Sequence, residues 1–249
     1  MSHPADIAGL QHGVIRPTVP NHLPLNISLI PDYLKRASTP YATAMVGKWH
    51  VGFDVEAACP WNRGFDKYTG YLIGAEDYYQ HTRSYGRAEG YDLRNGSDVD
   101  WNAKGTYSAD LFTQRAQRYI AEHAAEHGNN KPLFLYVPLQ NVHAPLEAPP
   151  GDLIDRFAPI GSEARRTYAA MMLAADMAAA NITQAMKDSG LMADDSPTVI
   201  FTMQDNGGQV HAGGNNWPLR GNSETPMRAP HPSTPAQVHP PAQPPNPSH

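Results

Sequence analysis

Two short stretches of the sequence carry side chains that could hold an anion and protonate it. In "MVGKWHVGF", Lys48 supplies a fixed positive charge and His50 a titrating donor. In "QNVHAPLEAP", His143 could give a proton to a leaving oxygen, because an unperturbed histidine has a pKa of about 6.5. The alternatives are simple packing of Trp49 between two solvated neighbours and a hydrogen-bonded turn histidine at His143.

A third stretch, "TVIFTMQDNGG", offers ligands for a hard cation. Asp205 and Asn206 place a carboxylate beside an amide carbonyl, and Gly207 and Gly208 let the backbone turn close to a bound ion. Calcium or magnesium suits such oxygen donors. The alternative is an ordinary Asx turn after a strand, which the same residues also fit.

Each of the three stretches follows a helix-then-strand pattern. Apolar residues recur at helical spacing from Ser28, a plausible N-cap, to Ala37, then over 108–127, and then up to Gly190, which suits the C′ position. The runs that follow, "YATAMV", "KPLFLYVPL" and "PTVIFT", predict strands, the second of them buried. Residues 54–105 show little sustained period, so we expect long loops and short strands over one end of the sheet.

Helices that alternate with short apolar strands predict an α/β fold with a largely parallel sheet flanked by helices. Ligands of such sheets gather at the carboxyl ends of the strands. All three candidate stretches lie at such ends, so we expect Lys48, His50, His143, Asp205 and Asn206 to surround one site.

Composition limits the classes of partner. Lys and Arg number 19 against 24 Asp and Glu, for a formal charge of −5, which argues against a nucleic-acid partner. The longest apolar runs are shorter than the roughly 20 residues that span a bilayer, so no membrane span is predicted. The start "MSHPADIAGLQHG" has neither the basic nor the apolar region of a secretory signal.

Taken together, these stretches resemble the sulfatase family, most closely its arylsulfatase B, I and J branch, which includes N-acetylgalactosamine 4-sulfatase. The matching blocks occur in family order over residues 9–221. They are "GLQHGVIRP", "MVGKWHVGF", "RGFDKYTGYLIGAEDYY", "PLFLYVPLQNVHAPLEAP", the "YAAMM…ADMAAANIT" helix and "DNGGQVHAGGNNWPLRG".

The resemblance implies an alkaline-phosphatase-like fold, hydrolysis of sulfate esters of small molecules or glycans, a bound calcium ion and a formylglycine nucleophile. By the same resemblance Asp205 and Asn206 would ligate the calcium. Lys48 and His50 would hold the sulfate and the formylglycine, and His143 would contact the sulfate and assist the leaving group. The family also implies a lysosomal or secreted protein, in which the sequons at Asn26, Asn95 and Asn181 would be glycosylation acceptors.

The sequence departs from the family pattern at both ends. The family forms its formylglycine in a Cys-x-Pro-x-Arg motif upstream of the first matching block, where an aspartate pair supplies further metal ligands. Cys59, the single cysteine, lies downstream of Lys48 and is not assigned as the nucleophile. From Asn222 the chain holds nine of its 24 prolines and no aromatic residue, which predicts a disordered tail over 222–249.

We therefore expect a partial catalytic domain over residues 1–221, truncated at both ends and inactive or poorly folded in isolation, with an incomplete calcium site. Two other functions fit the same residues. A phosphodiesterase or phosphatase of the same superfamily would use a similar site, although the "GGNNWPLRG" block disfavours it. A non-catalytic protein that binds sulfated glycans would retain the anion pocket without turnover.

Overall fold

The computed structural model describes residues 13–193, 197–218, 220–222 and 225–228 of the chain. Within these ranges the chain divides into two compact units, of which the first ends at Ile200 and the second begins at Phe201. No helix of the described part is long and apolar enough to cross a lipid bilayer. Most of the predicted tail, from residue 229 onward, lies outside the described residues.

A mixed sheet of five strands forms the centre of the first unit. The strands are β1 (Ala42–Lys48), β2 (Lys67–Tyr71), β5 (Leu93–Asn95), β6 (Asp98–Val99) and β7 (Leu133–Tyr136), and a separate hairpin consists of β3 (Thr82–Tyr85) and β4 (Ala88–Tyr91). The order across the sheet is β6-β5-β2-β1-β7. β1 pairs parallel with both β2 and β7, whereas β5 and β6 add antiparallel pairings at the far side. The α/β class with a largely parallel sheet is confirmed.

Among the residues that the structure describes, three α-helices accompany the sheet: α1 (Ile30–Lys35), α2 (Ser108–His127) and α3 (Glu163–Asp188). Helix α2 buries Leu111, Phe112 and Ala116 against Ala44 and Val46 of β1. Helix α3 packs along α2 and buries Met171 and Ala174 beside Tyr78 and Tyr107. A third apolar cluster contains Met45, Trp49, Phe65, Tyr68 and Leu72.

The bounds of α2 and the C′ position of Gly190, which has a left-handed φ of 76°, agree with the sequence prediction. Ser28 is not the cap of α1. That helix begins after Leu29, whose backbone N–H donates to the carboxylate of Asp32 at 2.7 Å, and the Ser28 hydroxyl accepts from Arg36 instead.

Residues 54–105 form short strands and loops, as predicted, but the prediction that they lie over one end of the sheet is wrong for three of the strands. β2, β5 and β6 are part of the sheet itself. Among them β2 is a central strand that lies very close to β1. A Cβ built on Gly70 would stand 1.9 Å from the carbonyl oxygen of Gly47, so this close approach of the two backbones requires a glycine at position 70.

The strand in "KPLFLYVPL" is present as β7, but the prediction that it is buried is wrong. It is an edge strand of the described sheet, and the side chain of Tyr136 is 47% exposed. The strand predicted at "PTVIFT" is absent: residues 197–202 have no strand structure, and Phe201 is 85% exposed. An apolar run becomes a strand only where a neighbour pairs with it, and no described strand pairs with this one.

The second unit consists of an irregular segment from Phe201, a short 3-10 helix (Val210–Ala212) and a two-stranded antiparallel pair, β8 (Arg220–Asn222) and β9 (Thr225–Arg228). This strand pair overlaps the first residues of the predicted tail. The segment that carries Asp205 and Asn206 therefore belongs to the second unit, whereas Lys48, His50 and His143 belong to the first.

Candidate active site

Lys48 is the last residue of β1, and its backbone connects this strand to the segment that follows β7. Its backbone N–H donates to the carbonyl oxygen of Pro138 at 2.9 Å. One residue earlier, a Cβ on Gly47 would stand 2.1 Å from the same oxygen. The carboxyl ends of β1 and β7 are therefore joined at one edge of the sheet, as the parallel pairing requires.

His50 follows β1 with an uncommon backbone conformation. Its φ is 53°, in the left-handed region that a non-glycine residue adopts at a cost of about 1–3 kcal/mol and mostly at functional sites. Its backbone N–H donates to Leu72, and its Nε2 lies 3.0 Å from the carbonyl oxygen of Ile15. Since a carbonyl only accepts, Nε2 carries the proton and the acid–base chemistry of this ring belongs to Nδ1.

Trp49, between the two candidate residues, is a packing residue. It is buried, and its indole N–H donates to the carbonyl oxygens of Gly52 at 2.9 Å and Ala58 at 3.2 Å. Simple packing, which the sequence analysis gave as an alternative, is therefore the role of Trp49.

His143 lies in the loop Gln140–Ala148 that follows β7, here called the His143 loop. The side chain is exposed, and its Nδ1 lies 2.7 Å from the carbonyl oxygen of Ala144. This contact fixes the proton on Nδ1, so that Nε2 is the atom that accepts or gives a proton. Its own carbonyl oxygen accepts a hydrogen bond of 2.9 Å from the phenol of Tyr78.

The first unit also contains a group of buried titratable side chains, Glu76, His81 and Asp92. The sequence analysis did not predict this group. Glu76 and His81 are both 0% exposed and lie 3.0 Å apart, Oε1 to Nδ1. Burial raises the pKa of Glu76 to about 7. Asp92, also buried, accepts the backbone N–H groups of Leu72 and Ile73, yet burial raises its pKa to about 6.

One signal in the sequence could have pointed to this group. "GAEDYYQH" places two adjacent carboxylates and a histidine in a segment with two tyrosines, a composition that is amphipathic rather than loop-like. Gly74 begins it, and a Cβ there would stand 2.6 Å from Nε2 of His50. The segment 74–81 thus contacts His50 at one end and the His143 loop at Tyr78.

Asp205 and Asn206 are exposed and lie in the second unit, which is described by itself. The side-chain amide of Asn206 donates to the carbonyl oxygen of Gly207 at 2.8 Å. Asn216 bonds Gly208 twice, accepting from its N–H and donating to its carbonyl, each at 2.8 Å. This is the geometry of a tight Asx-rich turn.

The described residues do not form a calcium site. Calcium takes about six to eight oxygen ligands, and Asp205 with Asn206 supplies two residues toward that number. Within 13–193, 197–218 and the two short ranges after them, no group of three or more His, Cys, Asp or Glu side chains could hold a metal ion.

In the first unit the arrangement suits anion binding and proton transfer. The backbone of Lys48, at the end of β1, is bonded to Pro138 in the segment that leads from β7 to His143, so the segments that carry one ammonium group and two imidazoles leave the sheet at the same edge. An ammonium group can offset negative charge, and imidazoles can exchange protons. The sequence model of the sulfatase family matches residues 7–244, nearly the whole chain. The chain belongs to the sulfatase family.

Two mouse proteins are among the relatives of this sulfatase. It is 44% identical to mouse arylsulfatase J over 219 residues, which are 87% of this chain and 35% of that protein. It is 25% identical to mouse N-acetylgalactosamine-6-sulfatase, over 79% of this chain and 37% of that one. The chain therefore spans about a third of the length of these curated relatives.

The fold is also that of a solved structure. The crystal structure of Ps i-CgsB in complex with k-i-k-neocarrahexaose superposes with a TM-score of 0.73 at 24% identity, covering 89% of this chain and 50% of that one. At this identity the likeness shows the fold alone.

Cys59 of this sulfatase has the surroundings of a structural thiol. It is 5% exposed, its Sγ lies 3.8 Å from the carbonyl oxygen of Val55, and burial raises the pKa of its thiol. Arg63, four residues later, is held by the carbonyl oxygens of Leu23 and Ile27. A raised pKa disfavours the thiolate, which is the reactive form. These features are those of a structural residue, and Cys59 is not assigned as the nucleophile.

Proposed function

We propose that this sulfatase acts on sulfate esters, and that Lys48, His50 and His143 belong to its sulfate site. The observation that carries the proposal is the hydrogen bond from the Lys48 backbone to Pro138, which joins the ends of two neighbouring parallel strands. Because of it, the segments that carry the ammonium group and His143 meet at one edge of the sheet. The 44% identity to mouse arylsulfatase J supports the same reaction class.

Each of the three residues has a distinct part in the proposal. The Lys48 ammonium offsets charge on the sulfuryl oxygens, which is worth most in a site from which water is excluded. His50 is held by Ile15 through Nε2, which makes Nδ1 the acceptor atom of its ring. His143, with its proton fixed on Nδ1, takes up a second proton at Nε2 in acid and passes it to the departing alcohol oxygen.

The substrate class that we propose is a sulfated sugar or an aryl sulfate. The support is the names of relatives, which include an arylsulfatase and an N-acetylgalactosamine-6-sulfatase. Asp205 and Asn206 are proposed as two ligands of the calcium ion that the family resemblance implies. Because the described residues do not complete that site, no step of the reaction is assigned to the ion.

A second function is favoured by one specific observation. The only cysteine in the sequence, Cys59, is buried with a raised thiol pKa, so this chain offers no activated cysteine from which a nucleophile could form. The chain by itself would then bind sulfate esters without hydrolysing them.

Binding and turnover of p-nitrophenyl sulfate by the purified chain test both functions, with p-nitrophenyl phosphate as the competing substrate. We expect binding to weaken roughly tenfold or more in Lys48→Ala and His143→Ala, since each removes a charged or charge-assisted contact. Lys104→Ala, at an exposed lysine of the same unit, is the control and should bind normally. Preference for the phosphate, or equal binding by Lys48→Ala, would refute the sulfate site. Release of p-nitrophenol would exclude the binding-only function.

A further inference from the structure

Two histidines lie one turn apart at the end of helix α2. His123 and His127 are the first and last residues of "HAAEH", and residues four apart share one face of a helix. Their ring centres are 5.0 Å apart, and the ring planes make an angle of 64°. Histidines at this spacing can bind one metal ion, although the spacing alone is a weak signal. The surroundings of the two rings therefore decide what the pair can do.

The ring of His123 is held in one orientation. The side chain is buried, and its Nε2 lies 2.9 Å from the carbonyl oxygen of Lys131, in the turn before β7. Since a carbonyl only accepts, Nε2 carries the proton and the lone pair of the ring is on Nδ1. Histidines that bind metal ions typically donate their other ring N–H to a carbonyl or a carboxylate, which fixes the tautomer and the ring orientation.

His127 has a comparable partner. Its Nε2 lies 3.4 Å from Oε1 of Glu126. This carboxylate attracts the ring proton to Nε2, so the lone pair of His127 is also on Nδ1. The side chain of His127 is 25% exposed, so an ion can reach the pair from solvent.

The distance between the two rings fits a shared ion. A zinc–nitrogen bond of about 2.0–2.1 Å places the ion roughly 3.2 Å from each ring centre, and tetrahedral bonds then require about 5.2 Å between the centres. The observed distance is 5.0 Å. Aromatic rings that only pack together stand roughly 4.5–7 Å apart, so the distance is a necessary condition, and the two ring tautomers and the space beside the rings supply the rest of the argument.

The two rings line a cavity with room for an ion and its water ligands. Its volume is about 170 Å³, and Asp66, Tyr119 and Glu126 are among the other lining residues. One water molecule takes about 30 Å³ in the liquid, so several fit. Within the part of the chain that the structure describes, no group of three His, Cys, Asp or Glu side chains could hold a metal ion, so water would complete the coordination.

The cavity lies at the opposite end of the sheet from the proposed sulfate site. Ala42 and Leu133, the first residues of β1 and β7, line it, and the backbone N–H of Ala42 donates to the carbonyl oxygen of Pro132 at 2.9 Å. Lys48 is the last residue of β1. An ion bound beside the two histidines is therefore separate from the residues proposed to bind sulfate.

The charges around the cavity allow a cation. Two carboxylates and two ammonium groups line it: Asp66, Glu126, Lys67 and Lys131. Lys67 is bonded to Glu122 at 2.6 Å, which offsets its charge. Helix α2 ends here, and the carbonyl groups at a helix C-terminus favour positive charge. Neutral imidazoles hold zinc in some enzymes, so the pair does not need a net negative site.

We propose that Nδ1 of His123 and Nδ1 of His127 bind one divalent transition-metal ion, and that zinc, which suits imidazole ligands in tetrahedral geometry, is the ion that fits. Through the bond from His123 to Lys131, the ion would stabilise the end of α2 against the turn that leads into β7. The site goes beyond the proposed function. Calcium takes oxygen ligands and is not expected to bind here.

Isothermal titration calorimetry with zinc chloride tests the proposal on the full untagged chain, freed of metal by dialysis against EDTA. We expect one zinc ion per chain in the tightest binding step, and calcium chloride should not compete with it. Loss of either ring should weaken this step by about tenfold or more, because two ligands on one helix bind as a chelate. His127→Gln changes a partly exposed side chain and should fold normally, as circular dichroism would show. His123→Gln removes the buried ring.

Nuclear magnetic resonance of the ring nitrogens identifies the ligands, since zinc should shift the Nδ1 signals of His123 and His127 together. His22→Gln is the matched control, because the ring of His22 is also paired with a carboxylate, that of Asp54, at 2.7 Å, and it should bind zinc normally. Zinc binding that His127→Gln leaves unchanged would overturn the proposal, even if His123→Gln fails to fold. So would an absence of binding at millimolar zinc, or shifts confined to other histidines. No sulfate ester is present, so failure here is distinct from failure of the proposed function.

Discussion

Gly74 lies directly against the imidazole of His50: a Cβ built on this glycine would stand 2.6 Å from both Cε1 and Nε2 of the ring. The segment that begins at Gly74 therefore sets the position of a histidine 24 residues earlier in the chain. Because His50 is also fixed through Ile15, its ring has little room to yield.

Gly74→Ala is expected to displace the His50 ring and to break its contact with Ile15. We expect the NMR signals of the ring to shift and the binding of p-nitrophenyl sulfate to weaken, with a loss in the free energy of unfolding of about 1–3 kcal/mol from overpacking. Gly90→Ala is the control, since no heavy atom lies within 4 Å of a Cβ at that position. Unshifted ring signals in Gly74→Ala would show that the contact is unimportant.

Gly70→Ala tests the close approach of β1 and β2. A Cβ at Gly70 would stand 1.9 Å from the carbonyl oxygen of Gly47, which is backbone and cannot rotate away. We expect the free energy of unfolding in urea to fall by about 3 kcal/mol or more, at the upper end of overpacking effects. Gly161→Ala, where a Cβ meets no atom within 4 Å, should leave the urea midpoint nearly unchanged. Similar urea midpoints for the two variants would contradict the close approach of β1 and β2 at Gly70.

The sequence predicts elements well where the signal is local. Helix α2 is predicted over its full length because its apolar residues repeat on one face for 20 residues. Strand β2 is not predicted, because "KYTGY" has no apolar run and is a strand only through its parallel pairing with β1. The opposite error occurs at 197–202, which is apolar enough for a strand but has no described partner.

Some residues of the candidate site can likewise be predicted from local sequence, and others cannot. Lys48, His50 and His143 can be found from residue type and position after a strand, and their parallel strands place them at one edge. The burial of the Glu76–His81 pair cannot be predicted in this way, since a glutamate in an irregular segment is usually solvated and only tertiary packing buries it. The roles of all five predicted site residues, Asp205 and Asn206 included, stay predictions.

Cys59 is expected to be dispensable for binding. Its thiol is buried and has a raised pKa, so iodoacetamide should leave it unmodified at neutral pH in the folded chain and modify it after denaturation. Cys59→Ala should bind p-nitrophenyl sulfate as the unmodified chain does, with a small loss of stability from the lost packing. Rapid modification of the folded chain would show a reactive thiol and would reopen the question of its role.

The buried Asp92 should make the first unit more stable in acid. Its folded pKa of about 6 is higher than the ordinary value of 3.8, so its contribution is fully present below about pH 4 and is lost as the pH rises through 6. The shift corresponds to at most about 3 kcal/mol in the free energy of unfolding. We expect urea unfolding to show this decline between pH 4 and pH 7.

Asp92→Asn should flatten the decline, because its amide oxygen can still accept from the backbone N–H groups of Leu72 and Ile73 but the side chain no longer titrates. Glu76, whose pKa of about 7 acts in the same direction over a higher range, contributes to the slope that remains. Asp98→Asn, at an exposed position on β6, is the control and should keep the full slope. A chain that gains stability between pH 4 and pH 7 would contradict the burial of both carboxyls.

Calcium should have no measurable effect on this chain in isolation. Asp205 and Asn206 are exposed, and they offer one carboxylate and one amide oxygen, far fewer than the roughly six to eight oxygen ligands that the ion takes. A ligand stabilises a fold only in proportion to its binding, so millimolar calcium chloride should leave the melting temperature unchanged, as EDTA should. Asp205→Asn should melt like the unmodified chain under both conditions. A rise in melting temperature with calcium that Asp205→Asn abolishes would instead show that the isolated chain completes the metal site.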